Sequence, residues 1–354
     1  MPISAALTNP ASVKDVCVST DLDRAAWSEY VRTTADGGLY HRLEWDAALA
    51  IYRLHTLRLT ATCEGRVVGV LPLVVQQSRL FGRRLASLPW FDSAGSLADS
   101  VEALEALLTA ALSHAARCGA TEIHLRQIQA TPQWQSPRTD KVLMRLTLQP
   151  KSDDLWKELS AKVRNQVRKG EKSGLTYECG GPSLVHDFFG VYATNMRDLG
   201  SPSHSEGFFE AVVAAFGDDV QVHVVRLAAM VVGCGLTLAN GRFLEIPWAS
   251  SLREYNPLCV NHFLYWNILR QACERRYEFF HFGRSTAGSG TWHFKRQWGA
   301  VDVPLYWYSL ASDGTPIAQE SRPEESFALA QRAWRRLPLW LSRRLGPRII
   351  CNVC

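Results

Sequence analysis

Four short segments of this 354-residue chain hold residue types that can act on a substrate. In the first, Phe282-Gly283-Arg284-Ser285 runs through Gly288-Ser289-Gly290-Thr291 into Trp292-His293-Phe294-Lys295-Arg296-Gln297-Trp298-Gly299. A strand ends at a glycine, and a loop leads to an aromatic and cationic cluster. Trp292, Phe294 and Trp298 have the shape to stack on a base or wall a pocket, with Lys295 or Arg296 supplying charge. A packed amphipathic element is the plainer alternative. The glycines are too irregular for a Walker A or dinucleotide loop. The second segment, Leu244-Glu245-Ile246-Pro247-Trp248, carries a carboxylate into a proline. Pro247 has no N–H for a sheet ladder, so the strand must be splayed, an edge or bulged there, and splayed strands open ligand slots. Third, Arg164 and Arg168 stand at i, i+4 on a basic helix, two planar forks suited to a phosphate or carboxylate, or else a solvated face. Fourth, Arg197 and Asp198 lie where a helix stops at Gly200 and Pro202.

The elements that must position these residues occur twice. Residues 46–52 predict a helix, 57–63 and 67–75 a pair of strands joined at Glu64-Gly65-Arg66, 101–118 a helix and 122–126 a strand. The same order returns as 208–216, 220–226 with 230–239, 259–274 and 278–282. Val67-Val68-Gly69 aligns with Val231-Val232-Gly233. Two copies of one α/β unit, each with antiparallel pairing in its middle, account for this repetition. The boundary is expected near Pro150, giving units over 1–150 and 151–310. A basic helix is expected over 153–173, capped by Asp153 or Asp154 and ended by Gly174. Residues 311–354 read as a polar linker and a basic amphipathic tail, broken by Pro338.

Composition excludes several classes. The chain is 47% hydrophobic and 21% charged, which rules out disorder, and no apolar run approaches a membrane span. The net charge of +5 is concentrated locally: residues 331–354 hold six arginines and no acid, and 157–172 hold six cations against two acids. The rest of the chain is net negative, so a general preference for DNA is not implied. Nine scattered cysteines form no CxxC pair, and His41, His55, His114 and His124 are dispersed, so neither a metal site nor a disulfide framework is expected. There is no GxSxG elbow. The first fifteen residues show no apolar signal core, and a reducing cytoplasm is the expected compartment.

The segments NMRDLGSP (195–202), EIPWASSLREYN (245–256), LYW (264–266), FGRS (282–285) and FKRQWGA (294–300) resemble the FemAB-like proteins associated with PEP-CTERM/exosortase exopolysaccharide systems, within the GNAT-like acyltransferases. GRVVGVLPL (65–73), LFGRRLASLPW (80–90) and WRRLPLWLSRRLGP (334–347) extend the likeness over nearly the whole chain. The resemblance implies an α/β (α+β) chain of two tandem GNAT-like domains with mixed sheets. It implies acyl or aminoacyl transfer to an amine, with acyl-CoA, an acyl carrier protein or aminoacyl-tRNA as donor and no tightly bound cofactor. A lysine in a Phe-Lys segment lies near the reacting ester in Fem enzymes, which points to Phe294-Lys295. Relatives read FDFGRS where this chain has Phe280-His281-Phe282-Gly283, so a histidine replaces an expected acid.

The resulting expectation is a transferase acting on an exopolysaccharide or cell-envelope precursor. Lys295 would stabilise the oxyanion, with Glu245, His281 or the substrate itself as base. Arg164 and Arg168 would hold a phosphate of the donor or of a sugar or lipid-linked acceptor. Arg197, Trp248, Tyr255, Asn256, Tyr265, Phe294 and Trp298 complete the binding set, and Arg284 would orient a carboxylate. The competing expectation is a non-catalytic GNAT-fold binding module. A cleft joining Lys295, Glu245 and the Arg164 face would favour the enzyme. The tail, through 326–348, is expected either to touch the inner face of the cytoplasmic membrane or to pack on the second unit.

Overall fold

In the computed structural model the strands form two seven-stranded mixed sheets. The structure describes residues 15–34, 38–78, 82–131, 134, 137–317 and 324–352. The N-terminal residues 1–14 and the linker residues 318–323, both read above, lie outside the described residues.

The first half contains β1 (Val16–Ser19), α1 (Arg24–Thr33), α2 (Trp45–Ala50), β2 (Thr56–Cys63), β3 (Arg66–Ser78), β4 (Gly82–Ala86), β5 (Leu97–Ala98), α3 (Val101–Cys118), β6 (Glu122–Gln127) and β7 (Lys141–Thr147). Then come α4 (Ser152–Glu158), α5 (Ala161–Lys172), β8 (Leu175–Gly180), α6 (Val185–Leu199), α7 (Glu206–Phe216), β9 (Val220–Leu227), β10 (Met230–Asn240), β11 (Phe243–Ser251), α8 (Val260–Glu274), β12 (Phe279–Thr286), α9 (Gly290–Arg296), β13 (Val301–Pro304) and β14 (Tyr306–Ala311). Two tail helices follow, α10 (Glu324–Arg335) and α11 (Leu339–Ile350).

The duplication is visible strand by strand. The first sheet runs β1-β2-β3-β4-β6-β14, with β5 on β3, and the second runs β8-β9-β10-β11-β12-β7-β13. Each contains one parallel pair, β4 with β6 and β11 with β12, amid antiparallel neighbours. The aligned glycines do the same job in each copy. A Cβ on Gly69 would press on Leu107 of α3 at 3.0 Å, and one on Gly233 would meet Val260 of α8 at 2.5 Å. Only glycine lets each covering helix rest against its sheet.

The sheets do not divide at Pro150. β7, from the first half, pairs with β12 in the second sheet, and β14, from the second half, pairs with β6 in the first. Each sheet therefore takes its strand beyond the parallel pair from the other half of the chain. The basic segment also differs from one continuous helix: it breaks at Leu159-Ser160, and Ser160 caps α5 by accepting from the Val163 N–H. A serine N-cap restarts a helix because its hydroxyl satisfies a donor the first turn leaves open.

One core lies under α3, one joins the second sheet to α4, α5 and α8, and a third lies between the units. The third is aromatic. Trp45 stands 4.2 Å from Phe91, 4.8 Å from Phe216 and 6.4 Å from Trp248, ring centre to ring centre. This shared core holds the two sheets as one body and sets the walls of the cleft between them.

Candidate active site

The parallel ladder between β11 and β12 covers only Phe243–Glu245 against Phe279–His281. Beyond it the strands part: Pro247 has no N–H to continue, and Gly283 turns away with φ +69°. This is the splay expected at Pro247. Lys295, on the short helix α9, closes the base of the fork. Its ammonium donates to the carbonyls of Arg284 at 2.7 Å and Gly283 at 3.1 Å. It is only 9% exposed, and burial lowers its pKa to about 8; the carboxylates of Asp92 and Glu245 pull the other way.

Lys295 lines two open clefts. One, of about 590 Å³, lies between the units and includes Trp90, Asp92, Arg126, Arg138, Lys141, His204, Trp248, Arg284 and Trp307. The other, of about 660 Å³, lies on the far side of the fork and includes Ser250, Ser251, Arg253, Asn256, Asn261, Tyr265, Phe294 and Arg335.

The first cleft has two characters. Its apolar end is built from Trp90, Trp248 and His204; His204 stacks on Phe208 at 4.1 Å, and burial drops its pKa to about 3, so the ring is neutral. Its other end holds Arg126, Arg138 and Arg284 around one indole, their guanidinium carbons 4.7, 5.9 and 5.1 Å from the Trp307 ring. With Lys141 and Lys295, five cationic side chains and one carboxylate, Asp92, line the cleft, and Asp140 pairs with both Arg138 and Lys141 from outside the lining. Asp92 ties the units together, accepting from the Arg284 backbone N–H at 3.1 Å and its guanidinium at 3.0 Å.

Glu245 and His281 are neighbours but lie behind the fork, lining a small cavity of about 30 Å³ rather than either cleft. Glu245 is 5% exposed. One of its carboxylate oxygens accepts from the Tyr40 hydroxyl, and the other faces His281 Nδ1 at 3.4 Å. Arg145 donates to His281 Nε2 at 3.1 Å, so a neutral ring carries its proton on Nδ1, towards Glu245. Burial, and then the Glu245 charge, push the Tyr40 phenol well above its ordinary pKa, so it remains a donor.

Of the residues named from sequence, Lys295, Trp248 and Arg284 line the first cleft, and Lys295, Asn256, Tyr265 and Phe294 the second. Arg164, Arg168, Arg197, Tyr255 and Trp298 line neither. Arg164 donates to the carbonyls of Lys157 at 3.1 Å and Trp156 at 3.4 Å, closing the open end of α4. Arg168 stacks over Trp156 at 5.5 Å. Arg197 pairs with Asp198, the Tyr255 hydroxyl meets the Met230 sulfur, and Trp298 is a core residue beside His262. Sequence reasoning missed Asp92, Arg126, Arg138, Lys141 and Trp307. One signal was available: Arg126 is a charged residue within a stretch, 122–126, whose sequence predicts a strand. Among the described residues no group of His, Cys, Asp and Glu could hold a metal ion, and no helix is long and apolar enough to cross a membrane.

Comparison with known proteins bears on the same region. The family described as acetyltransferase (GNAT) domain matches residues 157–296, while no curated protein matches the sequence. A crystal structure of FemX is similar over 84% of this chain and 97% of that one, with a TM-score of 0.65 and 15% identity. The C-terminal domain (DUF2156) of a putative lysylphosphatidylglycerol synthetase from Agrobacterium fabrum is similar over 88% and 95%, with a TM-score of 0.54 and 13% identity. A conserved protein of unknown function from Bacteroides thetaiotaomicron is similar over 83% and 99%, with a TM-score of 0.54 and 9% identity. At these identities the likeness is one of fold. Residues 157–296 match the acetyltransferase (GNAT) domain family, within a chain of two tandem GNAT-like units whose fold is similar to that of FemX.

Proposed function

We propose that the protein is an acyl- or aminoacyltransferase acting on an amine of a phosphate-bearing exopolysaccharide or cell-envelope precursor. The observation that carries this reading is Lys295, buried at the junction of two open clefts where the β11–β12 fork parts. A transfer reaction needs two substrates to meet at one charge-stabilising group, and a lysine at the junction of two clefts supports that reading.

The second cleft suits the donor. It includes Asn261 in the first turn of α8, a helix whose start has no side-chain cap, with Arg253 and Arg335 also on its walls. Uncapped N–H groups and arginines suit the phosphates of acyl-CoA, an acyl carrier protein or aminoacyl-tRNA. Cys259 takes the left-handed conformation, φ +61°, just before α8 begins. The first cleft suits the acceptor, its sugar or lipid portion at the Trp90–Trp248 end and its phosphate among Arg126, Arg138 and Arg284. All three guanidinium groups lie against the Trp307 ring.

The acceptor amine attacks the donor carbonyl carbon and an N–C bond forms. Lys295 has two N–H groups committed to backbone carbonyls, and the third is left for the developing oxyanion. Collapse breaks the bond to the thiolate or ribose oxygen, and the proton lost by the amine goes to that leaving group. Glu245 and His281 act through position: the Glu245 charge, with that of Asp92, favours the ammonium form of Lys295, and His281 hydrogen-bonds Glu245 from behind the fork.

Mass spectrometry of the envelope polymer from cells with wild-type protein, Lys295→Met protein or none tests the reading. An acyl or aminoacyl substituent should be present only with wild type. A polymer identical in all three would overturn it and favour a binding module.

A further inference from the structure

We infer that α10 and α11 form a docking face for an anionic lipid bilayer, placed so that the clefts open beside the membrane surface. The inner face of the pair is already occupied. Arg335 donates to the Leu199 carbonyl at 3.3 Å, and the Arg343 guanidinium lies over Phe189 at 5.2 Å. Gly346 sits so close to Ser203 that a Cβ would come within 2.8 Å of its backbone. Both helices therefore lie on α6, and their opposite faces point outward.

That outward face has an unusual make-up. Leu329 is 63% exposed, Trp340 64% and Ile349 40%, and Leu199, 53% exposed, lies beside Arg335. Arg332 on α10 and Arg336 just past its end are four positions apart, and Arg344 and Arg348 continue the Trp340 stripe on α11; all four are exposed. From residue 331 to the end of the described chain there is no acid. Exposed aliphatic side chains gain from burial in hydrocarbon, an indole favours the interface, and guanidinium groups favour anionic headgroups. A nucleic acid would match the arginines but leave Leu329 and Ile349 in water.

The tail also reaches both clefts. Ile350 lines the first and its carbonyl accepts from Trp90 Nε1 at 2.8 Å, while Arg335 and Leu199 line the second. Docking would thus present the clefts to an acceptor carried in the bilayer. This last consequence rests on the proposed transferase function; the docking itself does not.

Co-sedimentation of the full chain with phosphatidylcholine vesicles, with and without phosphatidylglycerol, tests it. The protein should sediment with the anionic vesicles only, and less so at high salt. Replacing Arg332 and Arg344 with Glu should lower partitioning by roughly tenfold or more, and Leu329→Ser with Trp340→Ala several-fold. These side chains are exposed, so the melting temperature and turnover of a water-soluble amine should stay unchanged. Absence of sedimentation, equal sedimentation with neutral vesicles, or indifference to both pairs of substitutions would overturn the inference. Binding to a polyuridylate but not to vesicles would assign the face to nucleic acid instead. Lys295→Met should bind vesicles as wild type does, so failure of the transferase reading and failure of docking are separable.

Discussion

The two units share one topology but treat the same place in it in opposite ways. In the second, β11 and β12 part after Glu245 and His281 and leave a fork floored by Lys295. In the first, β4 and β6 part after Ala86 and His124, and the chain that follows β4 fills the gap. The Ser87 N–H donates to the His124 carbonyl at 2.9 Å, and the Gly95 N–H to the Arg126 carbonyl at 2.7 Å. Leu88, Phe91 and Ala94, between them, are buried. One copy of the fold thus keeps an open fork, and the other has become a wall that lends Asp92 and Arg126 to its neighbour's cleft. Duplication here leaves one open fork, beside a cleft walled by both copies.

That contrast can be broken most directly at Lys295. Lys295→Met should lower turnover by about 10²–10³-fold, the usual cost of removing one oxyanion donor, with an unchanged circular dichroism spectrum. A rate within threefold of wild type would remove the fork from the chemistry. The pH profile should follow the same group. Transfer needs the ammonium, so kcat/KM should fall about tenfold for each pH unit above about 8, the value to which burial lowers this lysine. Stability moves the other way. The folded chain loses this proton near 8 and the unfolded chain near 10.5, so stability should rise between those values, a gain absent in Lys295→Met.

The lent wall gives the next effect. Arg138→Leu should raise the KM for a phosphate-bearing acceptor about tenfold, since a hydrogen bond to a charged group contributes about 1.5–3 kcal/mol. Arg164→Ala should leave that KM unchanged and reduce urea stability by about 1 kcal/mol, because Arg164 closes α4. Equal KM effects would place the phosphate elsewhere. The plug gives the smallest functional change. A Cβ on Gly95 would strike the Gln127 side chain and come within 2.7 Å of the Arg126 carbonyl. Gly95→Ala should therefore cost about 1–3 kcal/mol in urea unfolding with little change in kcat. A large loss of kcat at full stability would mean that the plugged copy is itself catalytic.

Much of the fold was legible because it rests on local patterns. The hairpins around Gly65 and Ala229, the helix stop at Gly200, and the aligned glycines of β3 and β10 all follow from turn chemistry and periodicity. Pro247 announced the fork through a missing N–H. The basic helix misled because spacing alone cannot tell a guanidinium facing solvent from one spent on the carbonyls of a preceding helix. Ser160, the residue that breaks it, was the overlooked cue.

The sequence by itself determined that there are two copies of one α/β unit, that the strand through Pro247 must be splayed, an edge or bulged there, and that Lys295 follows Gly283 by 12 positions. Only the tertiary structure decided which residues share the cleft. The exchange of β7 and β14 between the sheets carries Lys141 towards Thr286, 2.5 Å from its hydroxyl, and places Trp307 beside Arg126 and Arg284. Residues some 180 positions apart meet because each sheet binds a strand from the other half. Such pairing depends on backbone hydrogen bonds and a shared aromatic core, neither of which leaves a periodic mark on the sequence.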